Sequence, residues 1–201
     1  MRNIVQISSS KLPTEFGDYL IHLYQDLTTL TEHVALVMGN VHQQENVMVR
    51  VHSECLTGDI FSSKRCDCGE QLKMAQQLIA KEGSGVIIYL RDHEGRGIGL
   101  ANKIRAYALQ DAGLDTVEAN IALGLPVDSR TFDVAAEILL DLEIKSIRLM
   151  SNNPTKCGDL KTHGTLVNSL VPLKIASNKS NKQYLQTKKD KLGHLLNEQE
   201  I

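Results

Sequence analysis

At 201 residues, with 42% hydrophobic and 23% charged side chains, the chain is sized for one globular domain, or one domain with a small appendage. Its net charge of −2 excludes the broad basic footprint of a nucleic-acid or membrane-surface binder, so any anionic ligand must be held by local cations. Aromatics at 4%, with no tryptophan, argue against single-strand binding by base stacking. No apolar run reaches transmembrane length, and the opening MRNIVQISSSKLPTEF lacks a signal-peptide core, so the cytoplasm, with reduced thiols, is the expected compartment.

Taken in order, residues 3–7, 18–23, 34–38 and 47–52 read as strands, separated by LPTEFG and GNVHQQEN, which carry turn residues. His33 and His42 fall in or beside these breaks and read as exposed surface histidines. Residues 70–81 repeat apolar side chains at helical spacing (Leu72, Ala75, Leu78, Ile79) and stop at Gly83 and Gly85. VIIYL, residues 86–90, is a continuous apolar strand of the buried kind. A helix over 100–111 follows, with Leu100, Ile104, Ala108 and Tyr107 toward one face, ending at Gly113. A helix over 131–142, a strand over 147–150, a short helix opened by Pro154 and a strand over 166–173 complete the alternation. That order predicts an α/β fold with a mixed, partly parallel sheet flanked by helices and a β-rich N-terminal part. Residues 176–182 are polar and turn-rich. Residues 184–196 read as a basic helix with no long apolar face, a solvated tail, with a lid over an anionic ligand as the alternative.

The chemistry concentrates in RVHSECLTGDIFSSKRCDCGEQ, residues 50–71, which holds three of the four cysteines: Cys55, Cys66 and Cys68. Thiols gathered in this way point to a metal more than to a disulfide framework, and zinc accepts sulfur in a tetrahedral site without redox chemistry. A structural zinc takes four protein ligands, whereas a catalytic one keeps a position for water. Three cysteines with no fourth nearby suggest the open kind. Plain packing of the thiols is the competing reading, and His52 is the candidate to close the shell. Cys157, far along the chain, reads as a packed thiol.

Three further segments could hold an anion or a base. RDHEGRGIG places glycines 95, 97 and 99 between a strand and a helix, where backbone amides can approach phosphate, and Arg96 adds a two-pronged donor. Glu94 would repel phosphate and suits the donor groups of a base. Asp128 reads on pattern as a helix N-cap, whereas Arg130 opposes the helix dipole at that end, a misfit that a bound anion would offset. SNNPTK, residues 151–156, joins a strand end, a turn, a helix start and a lysine.

Together the blocks RVHSECLTGDIF, RCDCG, YLRDHEGRGIGL, NKIRAYALQDAGLDTVEAN, VDSRTFD, SNNPTK and YLQTKKDKLGHLL resemble GTP cyclohydrolase II, the zinc enzyme that opens the riboflavin pathway. They lie in the family's order from about residue 10 to 196. The resemblance implies a GTP cyclohydrolase II-like catalytic domain over residues 1–175, with 176–201 as a basic tail helix of the same domain. It implies hydrolytic opening of the guanine imidazole ring, with loss of formate and pyrophosphate, and 2,5-diamino-6-ribosylamino-4(3H)-pyrimidinone 5′-phosphate as product. By the same resemblance Cys55, Cys66 and Cys68 hold one catalytic zinc. Arg130 attacks the α-phosphorus with Asp128 as its partner base, and Tyr107 assists at the ring. GTP contacts map to Arg50, Val51, His52, Ser53, Glu54, Gln71, Glu94, Gly95, Arg96, Thr116, Ser151 and Lys156. Magnesium accompanies the triphosphate, and a homodimer without nucleic-acid or membrane partners is expected. The chain departs from the family pattern in having Ser151 for a common threonine, one more residue before Glu94 than the shorter R-Q-E-G-R version, and LVPL for R-V-P-L. A paralogue with altered chemistry and a non-catalytic zinc-stabilised binding module are the competing functions.

Overall fold

The computed structural model describes residues 3–196; the ends of the expected catalytic domain and tail, residues 1–2 and 197–201, lie outside the described residues. In chain order the elements are β1 (Ile4–Thr14), β2 (Gly17–Asp26), β3 (Glu32–Met38), β4 (Val47–Ser53), α1 (Leu56–Asp59), α2 (Cys68–Glu82), β5 (Gly85–Leu90), a 3-10 turn (Glu94–Arg96), α3 (Leu100–Asp111), α4 (Thr116–Ala122), α5 (Asp133–Asp141), β6 (Ile147–Met150), α6 (Pro154–Thr162), β7 (Val167–Val171) and α7 (Lys182–Leu192). They gather into two compact units that alternate along the chain: residues 3–52, 73–91 and 131–173 in one, residues 53–72, 92–130 and 174–196 in the other.

The first unit is a seven-stranded mixed sheet in the order β1-β2-β3-β5-β4-β6-β7. β1, β2 and β3 pair antiparallel, β3 pairs antiparallel with β5, and β4, β6 and β7 run parallel. This is the α/β mixed sheet with a β-rich beginning that the residue patterns predict. β1 and β2 extend well beyond the predicted segments because LPT continues the strand to Thr14, and only two residues separate it from Gly17. Pro13 is tolerated there because β1 is an edge strand, where a missing amide breaks no ladder on the open side. The VIIYL run behaves as expected of a strand covered on both faces: Val86, Ile87, Ile88 and Leu90 are fully buried.

The core joins Val49, Val51, Val86, Ile88, Leu90, Ile147 and Leu149 of the sheet to Ala135, Ile138 and Leu139 of α5 and Cys157 and Leu160 of α6. Each such aliphatic side chain contributes about 1.5–3 kcal/mol on burial. Cys157 is therefore a packing residue, as its sequence context indicated. His33 is not the exposed histidine expected. It is buried, and its Nδ1 accepts a hydrogen bond from the Arg91 amide at 3.2 Å. His42 is exposed as expected.

The second unit has a different interior. Its buried side chains include Asp67, Glu94, Lys103, Asn120, Asn181 and Lys188 beside Cys55, Cys66, Ala106, Ala119 and Leu185. Charges so placed persist only when paired, so this unit's interior depends on matched ion pairs and hydrogen bonds as well as on apolar packing. Three elements here depart from the sequence reading. α4 was not expected, although Asp115 and Glu118 form a complete capping box at its start. α7 is not a solvated tail: Leu185, Thr187 and Lys188 are buried. α3 also turns a different side inward, burying Lys103 and Ala106 while Leu100 and Ile104 stay exposed.

Candidate active site

The end of β4 delivers Ser53, Glu54 and Cys55 into the second unit. Cys55 stands at the start of α1, its amide donating to Asp59 Oδ2 at 3.0 Å. Cys66 lies just ahead of α2 and Cys68 opens it. The three Sγ atoms all lie within 4.8 Å of one another, with Cys55 and Cys66 at 3.7 Å. Tetrahedral zinc with Zn–S bonds of about 2.3 Å requires sulfurs about 3.8 Å apart, so the trio fits that ion. Two glycines make the convergence possible. A Cβ on Gly58 would stand 2.9 Å from Cys66 Sγ and 3.1 Å from Cys55 Sγ, and a Cβ on Gly69 would stand 2.3 Å from the Gly58 carbonyl. Among the described residues the donor cluster consists of these three cysteines. His52, considered as a fourth ligand, belongs to the first unit, where its ring stacks on Tyr89 at 5.4 Å and its Nδ1 faces Arg50 Nη2 at 3.4 Å.

A buried cation, which the sequence reading overlooked, sits against the sulfurs. Lys103 Nζ is 3.1 Å from Cys55 Sγ and 2.5 Å from Glu94 Oε1. Hydrogen bonds from Cys66 and Cys68, with Lys103 adding, hold the Cys55 thiol far below its ordinary range against the opposing effect of burial. The same sharing pushes Cys66 up to about 11 and Cys68 well above the usual value. Tyr107, one turn beyond Lys103 on α3, places its hydroxyl 3.3 Å from Thr57 Oγ1, and Thr57 Oγ1 is 3.8 Å from Cys55 Sγ. Burial raises the Tyr107 pKa against the Thr57 hydrogen bond and Lys103, so its phenol stays protonated at neutral pH. The spacing of Lys103 and Tyr107, four residues apart on one helix, was the available sequence signal for this lysine.

The glycine loop is left-handed at Gly95, Arg96, Gly97 and Gly99, and Arg96, at φ 66°, is the residue in the run for which that backbone is costly. Gly97 is required by close approach, since a Cβ there would meet Ser129 Oγ at 2.4 Å. The expected approach of loop amides to phosphate is not what the loop does. The amides of Gly95, Arg96, Gly97 and Gly99 are all taken up by His93 and Glu94 acceptors. The Arg96 side chain instead holds a buried Nη2 that has no hydrogen-bond partner among the described residues. Glu94 is buried, accepting from Leu56 N at 2.7 Å as well as from Lys103 and Gly95. Glu54 accepts from Asp92 N, and Ser53 Oγ meets His93 Nδ1 at 3.2 Å.

Ser129 is tied to the loop through the Arg96 carbonyl, which accepts from its amide at 3.1 Å. Beside it, Asp128 is not a helix cap: α5 begins at Asp133. Its Oδ1 accepts from Arg130 N and Nε at 3.1 and 2.9 Å, and its Oδ2 from Nη2 at 2.5 Å. Burial raises the Asp128 pKa, but the Arg130 hydrogen bonds and charge outweigh it, with Arg96 contributing, and hold the carboxyl below its ordinary value. The pairing is a two-pronged guanidinium–carboxylate grip.

Gln71 donates to Asp67 Oδ2 at 2.6 Å. Thr116 opens α4 and lines a cavity of about 300 Å³ with Arg65, Asp111, Asp115, Tyr184 and Thr187. In the first unit, Lys156 Nζ donates to the Val51 carbonyl at 2.6 Å and Arg50 Nη1 to the Met150 carbonyl at 3.0 Å, next to Ser151. Thus Arg50, Val51, His52, Ser151 and Lys156 gather in one unit, and the cysteines, glycine loop, Tyr107, Thr116, Asp128 and Arg130 belong to the other. The sequence reading missed Lys103, Asp67, Tyr184 and Lys188.

Comparison with known proteins adds context to this geometry. A family model described as GTP cyclohydrolase II matches residues 5–172. The chain is 53% identical over 193 residues to the riboflavin biosynthesis protein RibBA of Chlamydia trachomatis, covering 96% of this chain and 46% of that protein. It is 52% identical over 192 residues to the monofunctional riboflavin biosynthesis protein RIBA 3, chloroplastic, of Arabidopsis thaliana, covering 96% and 38%. The chain thus spans half or less of the length of these relatives. Among solved structures, RibBX of A. baumannii, a two-domain 3,4-dihydroxy-2-butanone 4-phosphate synthase, superposes with a TM-score of 0.51 at 19% identity, over 85% of this chain and 41% of that one, a likeness of fold.

Proposed function

The chain belongs to the GTP cyclohydrolase II family, and on that premise we propose that it serves riboflavin biosynthesis by hydrolysing GTP. The guanine imidazole ring is opened, formate and pyrophosphate leave, and 2,5-diamino-6-ribosylamino-4(3H)-pyrimidinone 5′-phosphate is formed. The observation that carries the proposal is the three-sulfur cluster, spaced for zinc and with no fourth protein donor among the described residues, with Thr57 linking it to the Tyr107 hydroxyl. Cys55, Cys66 and Cys68 would hold the ion, which when bound supplies a Lewis acid and an activated water.

The remaining steps belong to the chain's own residues. Tyr107 is the proton donor at the ring, since its phenol keeps its proton at neutral pH. Lys103 and Glu94 brace the Cys55 end of α1, so the sulfurs stay converged as the ring opens. For the base, Glu94 is the proposed acceptor for guanine N–H groups; a carboxylate has about four acceptor positions, and three are used here. At the phosphates Arg96 is the proposed donor, its Nη2 having no hydrogen-bond partner among the described residues, and magnesium accompanies the triphosphate. Asp128 fixes Arg130 by a bidentate contact along its Nε–Nη2 edge. That arrangement supports stabilisation of phosphoryl charge directly. Arg130 as a covalent nucleophile further requires deprotonation of a guanidinium, for which Asp128 is the adjacent base. Ser53, Glu54, Gly95, Gln71 and Thr116, and Arg50, Val51, His52, Ser151 and Lys156 of the first unit, are proposed GTP contacts by family resemblance. A homodimer in a reducing cytoplasm completes the proposal; among the described residues no helix is long and apolar enough to cross a membrane.

The deciding experiment is zinc content together with formate and pyrophosphate release from GTP by the purified chain. A protein with one zinc and no ring opening refutes the activity. A phosphorylated enzyme trapped by mass spectrometry supports the nucleophile role of Arg130. Its absence, with pyrophosphate release retained in Arg130→Lys, leaves Arg130 an electrostatic role only.

A further inference from the structure

The family model stops at residue 172, ten residues before α7 begins, although the similarity to relatives covers 96% of the chain. α7 nevertheless belongs to the unit that carries the cysteines, the glycine loop and the Asp128–Arg130 pair. Its attachment is polar and buried. Lys188 Nζ donates to Asp67 Oδ1 at 2.6 Å, with side-chain exposures of 10% and 3%. Asp67 lies between two of the cysteines, so this ion pair fastens α7 to the turn that presents them. At the outer edge, Lys191 pairs with Asp115 and Glu118 of the α4 capping box.

One turn before Lys188, the Tyr184 ring serves two cations at once. Lys188 Nζ is 4.5 Å from the ring centroid, and Arg96 Cζ is 5.9 Å from it. A phenol ring attracts a cation through the negative face of its π system, more strongly where water is excluded. Arg96 therefore has a fixed support, while its buried Nη2 meets no acceptor among the described residues. A guanidinium already oriented loses less rotamer freedom when it grips an anion. The same cations act on His194, just past α7, where burial is the larger influence. Burial, Lys188, Arg96 and Arg130 push its imidazole down to about 3 against the pull of Asp67.

We propose that α7 is a working part of the nucleotide site, with Tyr184 a positioning residue that holds Arg96 toward the substrate phosphates while the Asp67–Lys188 pair fixes the helix to the cysteine turn. This rests on the reading that the substrate is a nucleoside triphosphate. It differs from a purely structural α7 in what Tyr184 should change.

The test is steady-state kinetics with GTP, together with inhibition by inorganic pyrophosphate, on the zinc-loaded full chain. Tyr184→Leu should raise KM about fivefold and weaken pyrophosphate inhibition in the same proportion, with kcat within about twofold. Tyr184→Phe keeps the ring and should match the wild type. In an Arg96→Met background, Tyr184→Leu should bring no further change in KM or pyrophosphate inhibition, because the ring then has no guanidinium to hold toward the phosphates. Should the leucine variant not fold, Tyr184→Gln serves in its place. Unchanged KM and pyrophosphate inhibition, or an equal loss in both backgrounds, would overturn the proposal whatever the melting temperature does. A wild-type chain that neither turns over GTP nor responds to pyrophosphate refutes the nucleotide reading beneath it, a result distinguishable from failure of the Tyr184 variants alone.

Discussion

Gly58→Ala tests the metal site at a single methyl group. Gly58 is helical and its φ is not positive, so alanine suits the backbone, and local propensity favours the change by about 0.5–1 kcal/mol. The new Cβ, however, would lie 2.9 Å from Cys66 Sγ, 3.1 Å from Cys55 Sγ and 3.1 Å from Cys68 Cβ. Ordinary carbon contacts sit near 3.5–4.0 Å, so all three cysteines must retreat by several tenths of an ångström. Overpacking of that degree costs about 1–3 kcal/mol. Carried by the metal-bound state, it lowers zinc affinity roughly five- to 150-fold. Chelator competition measures the dissociation constant, and alkylation of the thiols reports their accessibility separately. Gly158→Ala, at a helical glycine of α6 with nothing within 4 Å, is the control. It should leave zinc affinity unchanged and raise stability slightly. Zinc binding by Gly58→Ala within about twofold of wild type would refute the claim that Gly58 gives the sulfurs room to converge.

Three other perturbations follow from the buried polar groups. Lys103→Met leaves the Glu94 carboxylate buried beside a sulfur cluster without its cation, and should cost about 3–5 kcal/mol in urea unfolding, with part recovered by adding Glu94→Gln. His33→Leu removes the acceptor of the Arg91 amide and should cost about 1–3 kcal/mol by the same measurement. His194 is held down to about 3 from an ordinary 6.5, so below pH 6.5 the unfolded chain binds a proton that the folded chain refuses. The stability this group contributes above pH 6.5 is therefore lost as pH falls toward 3, and His194→Gln should flatten the fall in melting temperature across that window.

The metal centre was legible in the sequence because thiols are rare and their chemistry is local: Cys55, Cys66 and Cys68 announce a donor set by spacing alone, and the structure brings them together. The strands and their mixed pairing were legible for a similar reason. Apolar alternation and a continuous VIIYL run record burial residue by residue. Asp128 was misread as a cap because Asp at a helix start has two uses, and only coordinates show its carboxylate closed around Arg130. The glycine loop was misjudged in the same way, since glycine spacing permits amide exposure but does not say whether the turn consumes those amides itself. α7 looked solvated because a lysine-rich helix normally is. Lys188 is buried because Asp67, 121 residues earlier, supplies a counter-charge inside the fold.

What the sequence determined by itself is the inventory: which side chains can bind metal, which segments alternate, and which family the chain joins. Tertiary structure decided the pairing of charges. Lys103 and Glu94, and likewise Lys188 and Asp67, can be buried only because each charge has its opposite beside it. Burial of an ion depends on what lies a few ångströms away, and neither partner carries that information in its own stretch of chain.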